Sequence, residues 1–243
     1  MDILLLVALG LGVATAGVTQ VVAGTGVRLI IPPLAILALG HAEGLRVAMT
    51  LGLLISLVTF LGDRAAVPFR RFVPLALPVV ISAPLWVLLV DLIPEAVAAR
   101  LAGLAAVAAV VVTLRAVRTG RLAGRFGALG AGAAASGVFA LGGVGGPVLG
   151  MYARDNGWAA RPARGVVNAC IALAQVMVLA FMGLPTATEP GLAVGLGGLA
   201  VGLVLGGIIA AKLPNVNAKL ARGVSLVVAG IAAVVLLVAG AQV

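Results

Sequence analysis

Long stretches without a charged side chain run through almost the whole of this chain. Nine of them are clear, at residues 3–27, 29–42, 47–62, 72–90, 101–114, 126–153, 165–188, 190–211 and 223–243. A helix needs about 20 mostly apolar residues to cross a hydrocarbon core about 30 Å thick. Uninterrupted stretches of this kind do not match the short alternating strands of a membrane β-barrel. The pattern therefore predicts an all-α, polytopic integral membrane protein.

Prolines beside charged or polar clusters mark where these helices are expected to end, because proline cannot continue the backbone hydrogen-bond ladder. They are Pro68, Pro74, Pro94, Pro162, Pro185, Pro190 and Pro214. The first stretch is expected to remain in the mature protein. The region before it carries Asp2 and no Lys or Arg, whereas a signal peptide begins with a positively charged region.

The chain also matches itself without gaps at an offset of 120 residues. The recurring residues near the start are Leu9, Gly10, Gly12, Ala14, Gly17, Val18 and Gly26, which fall on Leu129, Gly130, Gly132, Ala134, Gly137, Val138 and Gly146. Chance matching among abundant glycine, alanine and valine is the alternative. A duplication is the better account, with a first repeat at residues 1–120 and a second at 121–243.

Each predicted repeat opens with a segment that glycines interrupt. These segments are residues 3–40, broken at 23–26, and residues 126–153, broken at 142–147. The second is too short for two crossings of about 20 residues each. We therefore predict in each repeat a Gly-interrupted bent or re-entrant helical hairpin followed by three transmembrane helices. Matching interruptions in two halves indicate a transporter binding site near the membrane midplane.

Composition narrows the class of protein and leaves one puzzle. Apolar residues make up 63% of the chain and charged residues 9%, against about 45–50% and 25% in soluble domains. A soluble fold and a disordered chain are excluded, and the single cysteine, Cys170, cannot form an internal disulfide. Yet sixteen Lys and Arg stand against seven Asp and Glu, which gives a net charge of +9.

The positions of the basic residues favour one of two possible topologies. If each interrupted segment crossed the membrane once, both faces would carry similar numbers of Lys and Arg, against the positive-inside tendency. If each segment enters and leaves on the same face, only Arg46 and Arg100 lie opposite thirteen basic residues. The thirteen are Arg64, Arg70, Arg71, Arg115, Arg118, Arg121, Arg125, Arg154, Arg161, Arg164, Lys212, Lys219 and Arg222. This arrangement inverts the two repeats and predicts both termini on the non-cytoplasmic side of the cell inner (plasma) membrane.

Signals for an enzyme, a metal site or a nucleic-acid-binding surface are weak. The one histidine, His41, is expected to be a solvated loop residue beside Glu43, and no HExxH or CxxC pattern supplies a zinc or redox site. No serine lies in a nucleophile-elbow motif, and the Gly-rich turns lack the lysine of a nucleotide-binding loop. We therefore expect no enzyme activity, no cofactor and no nucleic-acid partner.

An anion is the ligand that the interrupted segments favour. All seven acidic residues lie near segment ends, so no carboxylate is left in mid-membrane for a cation or proton site. Two helix breaks can instead aim free N–H groups and positive helix ends at one point. Arg28 can bind an oxyanion with paired donors, although a snorkelling or carbonyl-capping role is the alternative. The residues predicted to bind substrate are Thr19, Gln20, Gly24, Thr25, Gly26, Arg28, Thr50, Gly142, Gly143, Gly145, Gly146 and Asn168.

Other polar and small residues are expected to pack helices together. Ser56 and Gln175 are predicted to form ordinary hydrogen bonds between helices. A stripe of small residues is expected to pack inside the chain rather than to form a dimer face. Its members are Gly191, Gly195, Gly198, Gly202 and Gly206.

The two interrupted segments resemble a known family. Residues 23–26 read Ala-Gly-Thr-Gly and lead to Leu-Ile-Ile-Pro-Pro-Leu at 29–34, and residues 137–147 echo this as Gly-Val-Phe-Ala-Leu-Gly-Gly-Val-Gly-Gly-Pro. With the duplicated halves, the pattern resembles the TauE/SafE sulfite-exporter family of membrane permeases over almost the whole chain. The resemblance implies transport of sulfite or of a small organosulfonate such as sulfoacetate.

We therefore expect a transporter that binds a small anion between the two Gly-rich breaks and moves it by alternating access. The alternatives are a drug/metabolite-type carrier of another small anion and a non-transporting membrane assembly or accessory protein. The expected partners are the anion and the lipid bilayer, and a homo-oligomer is left open.

Overall fold

The computed structural model describes residues 3–24, 26–115, 120–186, 190–212 and 218–239. Ten α-helices fill most of these ranges: α1 (Ile3–Ala23), α2 (Val27–Leu39), α3 (His41–Asp63), α4 (Phe69–Asp91), α5 (Glu95–Arg115), α6 (Gly124–Gly142), α7 (Gly146–Asp155), α8 (Ala160–Met182), α9 (Pro190–Lys212) and α10 (Ala218–Ala239). A short 3-10 turn, Arg64–Ala66, follows α3. No described residue lies in a strand, so the predicted all-α class is confirmed for this part of the chain.

Seven of the described helices are long and apolar enough to cross a membrane. They are α1, α3, α4, α5, α8, α9 and α10. Helices α2 and α7 are shorter, with 13 and 10 residues. Many large apolar side chains on the long helices are exposed, as a lipid-facing surface requires. The chain is a multi-pass membrane protein.

Both predicted helix breaks occur. Helix α1 ends at Ala23 and α2 begins at Val27, while α6 ends at Gly142 and α7 begins at Gly146. Within the breaks, Gly24, Gly26 and Gly143 have φ angles of 68°, 136° and 73°. Glycine adopts this left-handed region without the steric cost that a β-carbon brings. These glycines therefore end each first helix and allow the chain to turn back.

Not every proline ends a helix. Pro74 was expected near a boundary, but it lies inside α4 together with Pro78 and Pro84. Membrane helices tolerate internal proline because neighbouring groups can satisfy the carbonyl oxygens that it frees. The sequence-based boundary at Pro74 is therefore wrong, and α4 begins earlier, at Phe69.

The helices pair in a pattern that repeats across the chain. Helix α1 packs along α9 and α6 packs along α4, while α3 packs on α8 and α5 packs on α10. Helices α1 and α9 run parallel, because successive glycines of α9 meet successive turns of α1: Gly198 lies against Gly10, Gly202 against Ala14, and Gly206 against Val18. This confirms that the glycine stripe packs inside the chain. Large buried side chains such as Phe139 and Ile171 fill the space where the two halves meet.

Helices α3 and α8 run antiparallel. Near the start of α3, Arg46 Nε donates a hydrogen bond to the Met182 carbonyl at the end of α8, at 3.0 Å. At the end of α3, Asp63 accepts hydrogen bonds from Arg164 near the start of α8. Helices α5 and α10 are also antiparallel, since Gly103 lies against Leu237 while Thr113, further along α5, accepts a hydrogen bond from Arg222 near the start of α10.

Basic residues gather at one end of the helix bundle, which we call the basic end. Four contacts join helix ends there: Asp63 with Arg164, Thr113 with Arg222, Leu122 with Asp155, and Trp158 with Arg71. The other end, which we call the opposite end, holds Glu43, Arg46 and Glu95. The helices that carry the site described next run between these two ends.

Candidate functional site

Two adjoining cavities lie near the basic end, between helices of the two halves. The smaller has a volume of about 200 Å³ and the larger about 400 Å³. Both are bordered by Arg28, Gly150, Arg154 and Val167. The smaller cavity adds the first break and Thr113 of α5, whereas the larger extends to Trp158 and the start of α8. Helices of both halves therefore build the walls.

The first break brings Arg28 to this cavity. At Gly26, a β-carbon would collide with the Thr19 hydroxyl and lie 2.8 Å from the Ala16 carbonyl oxygen, so only glycine fits there. The chain turns at this point and resumes as α2 at Val27. Arg28 is thus the second residue of a new helix, next to the positive end of that helix dipole.

Arg28 is held by one side chain from the other half of the chain. Its Nη2 donates a hydrogen bond to Oδ1 of Asn168 on α8. The Asn168 amide is oriented in turn, because its Nδ2 donates to the Arg164 carbonyl at 2.7 Å. The Arg28 Nε is buried and has no hydrogen-bond partner among the described residues. The guanidinium is therefore positioned, but not fully satisfied, by the protein.

Arg154 is the second arginine of the cavity. It lies in the last turn of α7 and borders both cavities. Its Nε is also buried without a hydrogen-bond partner in the described part of the chain. Two arginines whose Nε atoms have no hydrogen-bond partner among the described residues thus border the same space.

The charge of these two arginines is not matched by ion pairs. Ion pairs join Arg46 to Glu43, and Arg161 and Arg164 to Asp63. No ion pair joins Arg28 or Arg154 to a carboxylate among the described residues, although the charge of Asp155, next in the chain, acts on Arg154. Burying an unpaired charge is costly, and the positive N-terminal end of α7 at Gly146 adds to the positive potential. The cavity is therefore suited to an anion.

The larger cavity ends at an aromatic wall. The Trp158 ring meets Tyr152 edge to face, with centroids 5.4 Å apart. The Arg71 guanidinium lies 5.4 Å from the Trp158 centroid, within the range of a cation–π contact. A small apolar group can lie beside this wall while an anionic group lies near the arginines.

Six of the predicted site residues border these cavities. They are Gln20, Gly24, Gly26, Arg28, Gly146 and Asn168. The fold brings them together from α1, the first break, α2, α7 and α8. Whether they bind a substrate stays a prediction.

The remaining predicted site residues lie elsewhere. Thr19 and Thr50 donate hydrogen bonds to carbonyls of their own helices, at Thr15 and Arg46. Gly142 packs on Ala102 of α5. Thr25 lies outside the described residues.

The second break serves the cavity less directly than the sequence predicted. Gly143 lies between Pro32 and Met49, and Gly145 lies against the Phe139 ring. Of the second break, only Gly146 and Pro147, where α7 begins, border the cavity. Helix α7 then brings Arg154 to the cavity. The cavity therefore lies between the first break and α7, whereas the sequence predicted a site between the two breaks.

Arg154 was not predicted to be a site residue, because its position placed it among the thirteen basic residues that indicate the topology. One signal could have found it. Arg154 is the first charged residue after the second break, as Arg28 is the first after the first break. The tertiary structure then brings both to the same cavity.

Three further expectations are wrong. His41 is not a solvated loop residue, because it is the first residue of α3 and only 5% exposed, with Nε2 at 2.7 Å from the Leu141 carbonyl. Ser56 and Gln175 are buried in their helices, but Ser56 Oγ and Gln175 Oε1 have no hydrogen-bond partner among the described residues.

The fold and the cavity together define a helical, multi-pass membrane protein with a cavity between its halves that two arginines border. Comparison with known proteins finds no matching family model, no similar curated protein and no similar solved structure.

Proposed function

We propose that this protein is a membrane transporter for a small anion, which binds between Arg28 and Arg154. The observation that carries this proposal is that two arginines border one cavity while no ion pair joins either to a carboxylate among the described residues. Hydrogen bonds to charged groups contribute about 1.5–3 kcal/mol each, and unmade ones are costly. A bound oxyanion would accept hydrogen bonds from the guanidinium groups and offset both charges.

We further propose that the chain consists of two inverted repeats, α1–α5 and α6–α10. The helix pairings support this. Exchanging the two sets converts the α1–α9 pair into the α6–α4 pair and leaves the α3–α8 and α5–α10 pairs unchanged. Equivalent helices that run antiparallel, as α3 and α8 do, are what inverted halves require. Inverted repeats with interrupted helices are a recurring arrangement in secondary transporters.

Alternating access is the mechanism that this arrangement favours. Gly24 is exposed, and the Arg161 and Arg164 side chains are 66% and 60% exposed, so the cavity lies close to the surface at the basic end. By the positive-inside tendency the basic end faces the cytoplasm, and both termini face the other side. Rocking of one repeat against the other would then expose the same arginines to the opposite side.

The proposed substrate is sulfite or a small organosulfonate such as sulfoacetate. The resemblance of both interrupted segments to the TauE/SafE permeases suggests the sulfur chemistry. The site adds support, because a compact oxyanion matches the two guanidinium groups and the Trp158 wall can accept a short organic group.

The test is transport by the purified full-length protein in liposomes. We expect saturable counterflow of radiolabelled sulfite or sulfoacetate, with Arg28→Ala reducing it strongly. The matched control is Arg70→Ala, which removes an exposed arginine at the same basic end and should leave counterflow unchanged. Absence of saturable movement of either anion would overturn the proposal, and equal effects of the two variants would make Arg28 structural.

A further inference from the structure

We propose that Gly150 sets the size of the organic group that a transported anion can carry, an inference that rests on the proposed transport function. Gly150 lies on α7 and, like Arg28, Arg154 and Val167, borders both of the adjoining cavities. It is the one member of this set without a side chain. The place where the two cavities meet is therefore left open at this position.

Helix α7 presents one face to the smaller cavity. Gly146, Gly150 and Arg154 follow one another at intervals of four residues, and all three border that cavity. Residues four apart lie on the same face of an α-helix, about one turn from each other. Two of the three positions on this face are glycine, so the wall that leads to Arg154 is backbone.

Both arginine side chains approach this face of α7. A β-carbon at Gly146 would lie 3.5 Å from Cδ of Arg28, and one at Gly150 would lie 3.8 Å from Nη1 of Arg154. Because β-carbons four residues apart on a helix are about 5–6 Å from each other, the two side chains reach α7 at neighbouring turns. Gly150 is therefore beside the charged groups that are proposed to hold the anion.

The fold does not require glycine at position 150. Its backbone is helical and its φ angle is not positive. Outside the local helix backbone, Nη1 of Arg154 is the one atom of the described residues within 4 Å of a β-carbon placed there, at an ordinary van der Waals distance. Alanine also has a higher helix propensity than glycine. The space beside Gly150 thus belongs to the cavity and not to a neighbouring helix. At Gly145, by contrast, a β-carbon would collide with the Ala135 carbonyl oxygen.

The two cavities differ in what they can hold. The smaller, about 200 Å³, adjoins the first break, and the larger, about 400 Å³, reaches Trp158. Sulfite has four heavy atoms and fits beside the arginines alone. A sulfonate with an organic group extends further, past the junction that Gly150 leaves open. A side chain at this position would therefore exclude the organic group more than the oxyanion.

Val167 of α8 is the other uncharged residue that borders both cavities. It is buried, with 8% of its surface exposed. Val167→Ala removes two methyl groups at the same junction and should enlarge it, whereas Gly150→Ala adds one and should narrow it. The two substitutions should therefore change the size preference in opposite directions.

The experiment uses the full-length protein in liposomes and measures how well sulfite, methanesulfonate and propanesulfonate inhibit counterflow of labelled sulfite or sulfoacetate. The two sulfonates carry the same head group and charge, so they differ only in size. Gly150→Ala should weaken inhibition by propanesulfonate about tenfold or more, since one extra carbon in a filled pocket discriminates by such factors, and inhibition by sulfite far less. Val167→Ala should favour propanesulfonate relative to sulfite.

Gly130→Ala is the matched control, because Gly130 is an exposed helical glycine where a β-carbon meets open space. It should leave every inhibition constant unchanged. Equal losses for sulfite and propanesulfonate in Gly150→Ala, or no loss for either, would overturn this inference and leave the transport function standing. Inhibition of the wild type by neither sulfonate would also overturn it. A wild type that exchanges neither labelled anion would instead overturn the proposed function itself.

Two further measurements do not depend on transport. The thermal midpoint of Gly150→Ala should equal or exceed that of the wild type, and a clearly lower midpoint would show that packing requires the glycine. In a Cys170→Ser background, Gly150→Cys should react with a sulfonate-bearing thiosulfonate reagent, and sulfoacetate should slow that reaction. Ala123→Cys, at an exposed position of the same basic end, should not be protected. Reaction at position 150 that sulfoacetate does not slow would overturn the inference.

Discussion

Arg28 donates a hydrogen bond to Asn168, although 140 residues separate them in the chain. The bond ties the first helix break to α8, and the Arg28 Nε has no hydrogen-bond partner among the described residues. Asn168 is itself oriented by the Arg164 carbonyl. One cation at the cavity wall is therefore positioned by two residues from the other half of the chain.

Arg28 and Asn168 should act as one unit in anion binding. We expect Arg28→Ala to weaken sulfite binding roughly 10- to 100-fold, since a charge-assisted hydrogen bond contributes about 1.5–3 kcal/mol. Asn168→Ala should weaken it less, because it only releases the arginine. Calorimetric titration of the two single variants and the double variant checks this. Additive effects would show that the two residues do not cooperate.

Arg28→Met combined with Asn168→Leu should stabilise the protein in the absence of anion, whereas Arg28→Met alone leaves the buried Asn168 oxygen without its donor. Well-packed apolar replacements of whole buried charged groups have raised stability by about 1–4 kcal/mol. Thermal unfolding in detergent, without added sulfite, measures the change. Added sulfite should then raise the midpoint of the wild type but not of the double variant, and a lower midpoint for the double variant would argue for a structural arginine.

Arg154→Gln should weaken binding of the same anion by about tenfold or more, because the glutamine keeps hydrogen-bond donors but removes the charge. The comparison is Arg125→Gln, which removes an exposed arginine near the start of α6 at the same end. Competition of unlabelled sulfite in the counterflow assay reports both affinities. An affinity that Arg154→Gln leaves unchanged would restrict the site to Arg28.

Gly202→Val should disrupt the pairing of α1 with α9. A β-carbon at Gly202 would collide with the Ala14 carbonyl oxygen, whereas one at Gly197 of the same helix meets open space. Overpacking typically costs about 1–3 kcal/mol. We therefore expect a lower thermal midpoint for Gly202→Val and little change for Gly197→Val. Equal midpoints would mean that the two helices can move apart without cost.

Cysteine labelling tests the proposed orientation. In a Cys170→Ser background, single cysteines at residues 42 and 184 should react from the periplasmic side, and those at 123 and 160 from the cytoplasmic side. All four positions are exposed, whereas Cys170 is buried. Labelling of intact cells with a membrane-impermeant maleimide separates the sides. Reaction of 123 and 160 from different sides would contradict the inverted arrangement.

The amino-acid sequence determined the helices and their breaks. Lengths of charge-free sequence set which segments can lie in a membrane, and glycine at 24, 26 and 143 permits backbone angles that end a helix. These are local properties of the chain, so they could be predicted without knowing any neighbour. Arg28 was singled out for the same reason, as a lone charge within an apolar segment.

Tertiary structure decided which residues share a site. Arg154 looked like one topology-determining charge among thirteen until α7 carried it to the same cavity as Arg28. His41 looked like a loop residue until α5 and α6 covered it. Hydrophobic periodicity does not indicate which face of a helix packs inward where the helix is apolar on every side. Close packing of small residues and a few buried hydrogen bonds determine which faces meet. Those depend on contacts between distant parts of the chain, which the order of residues does not display.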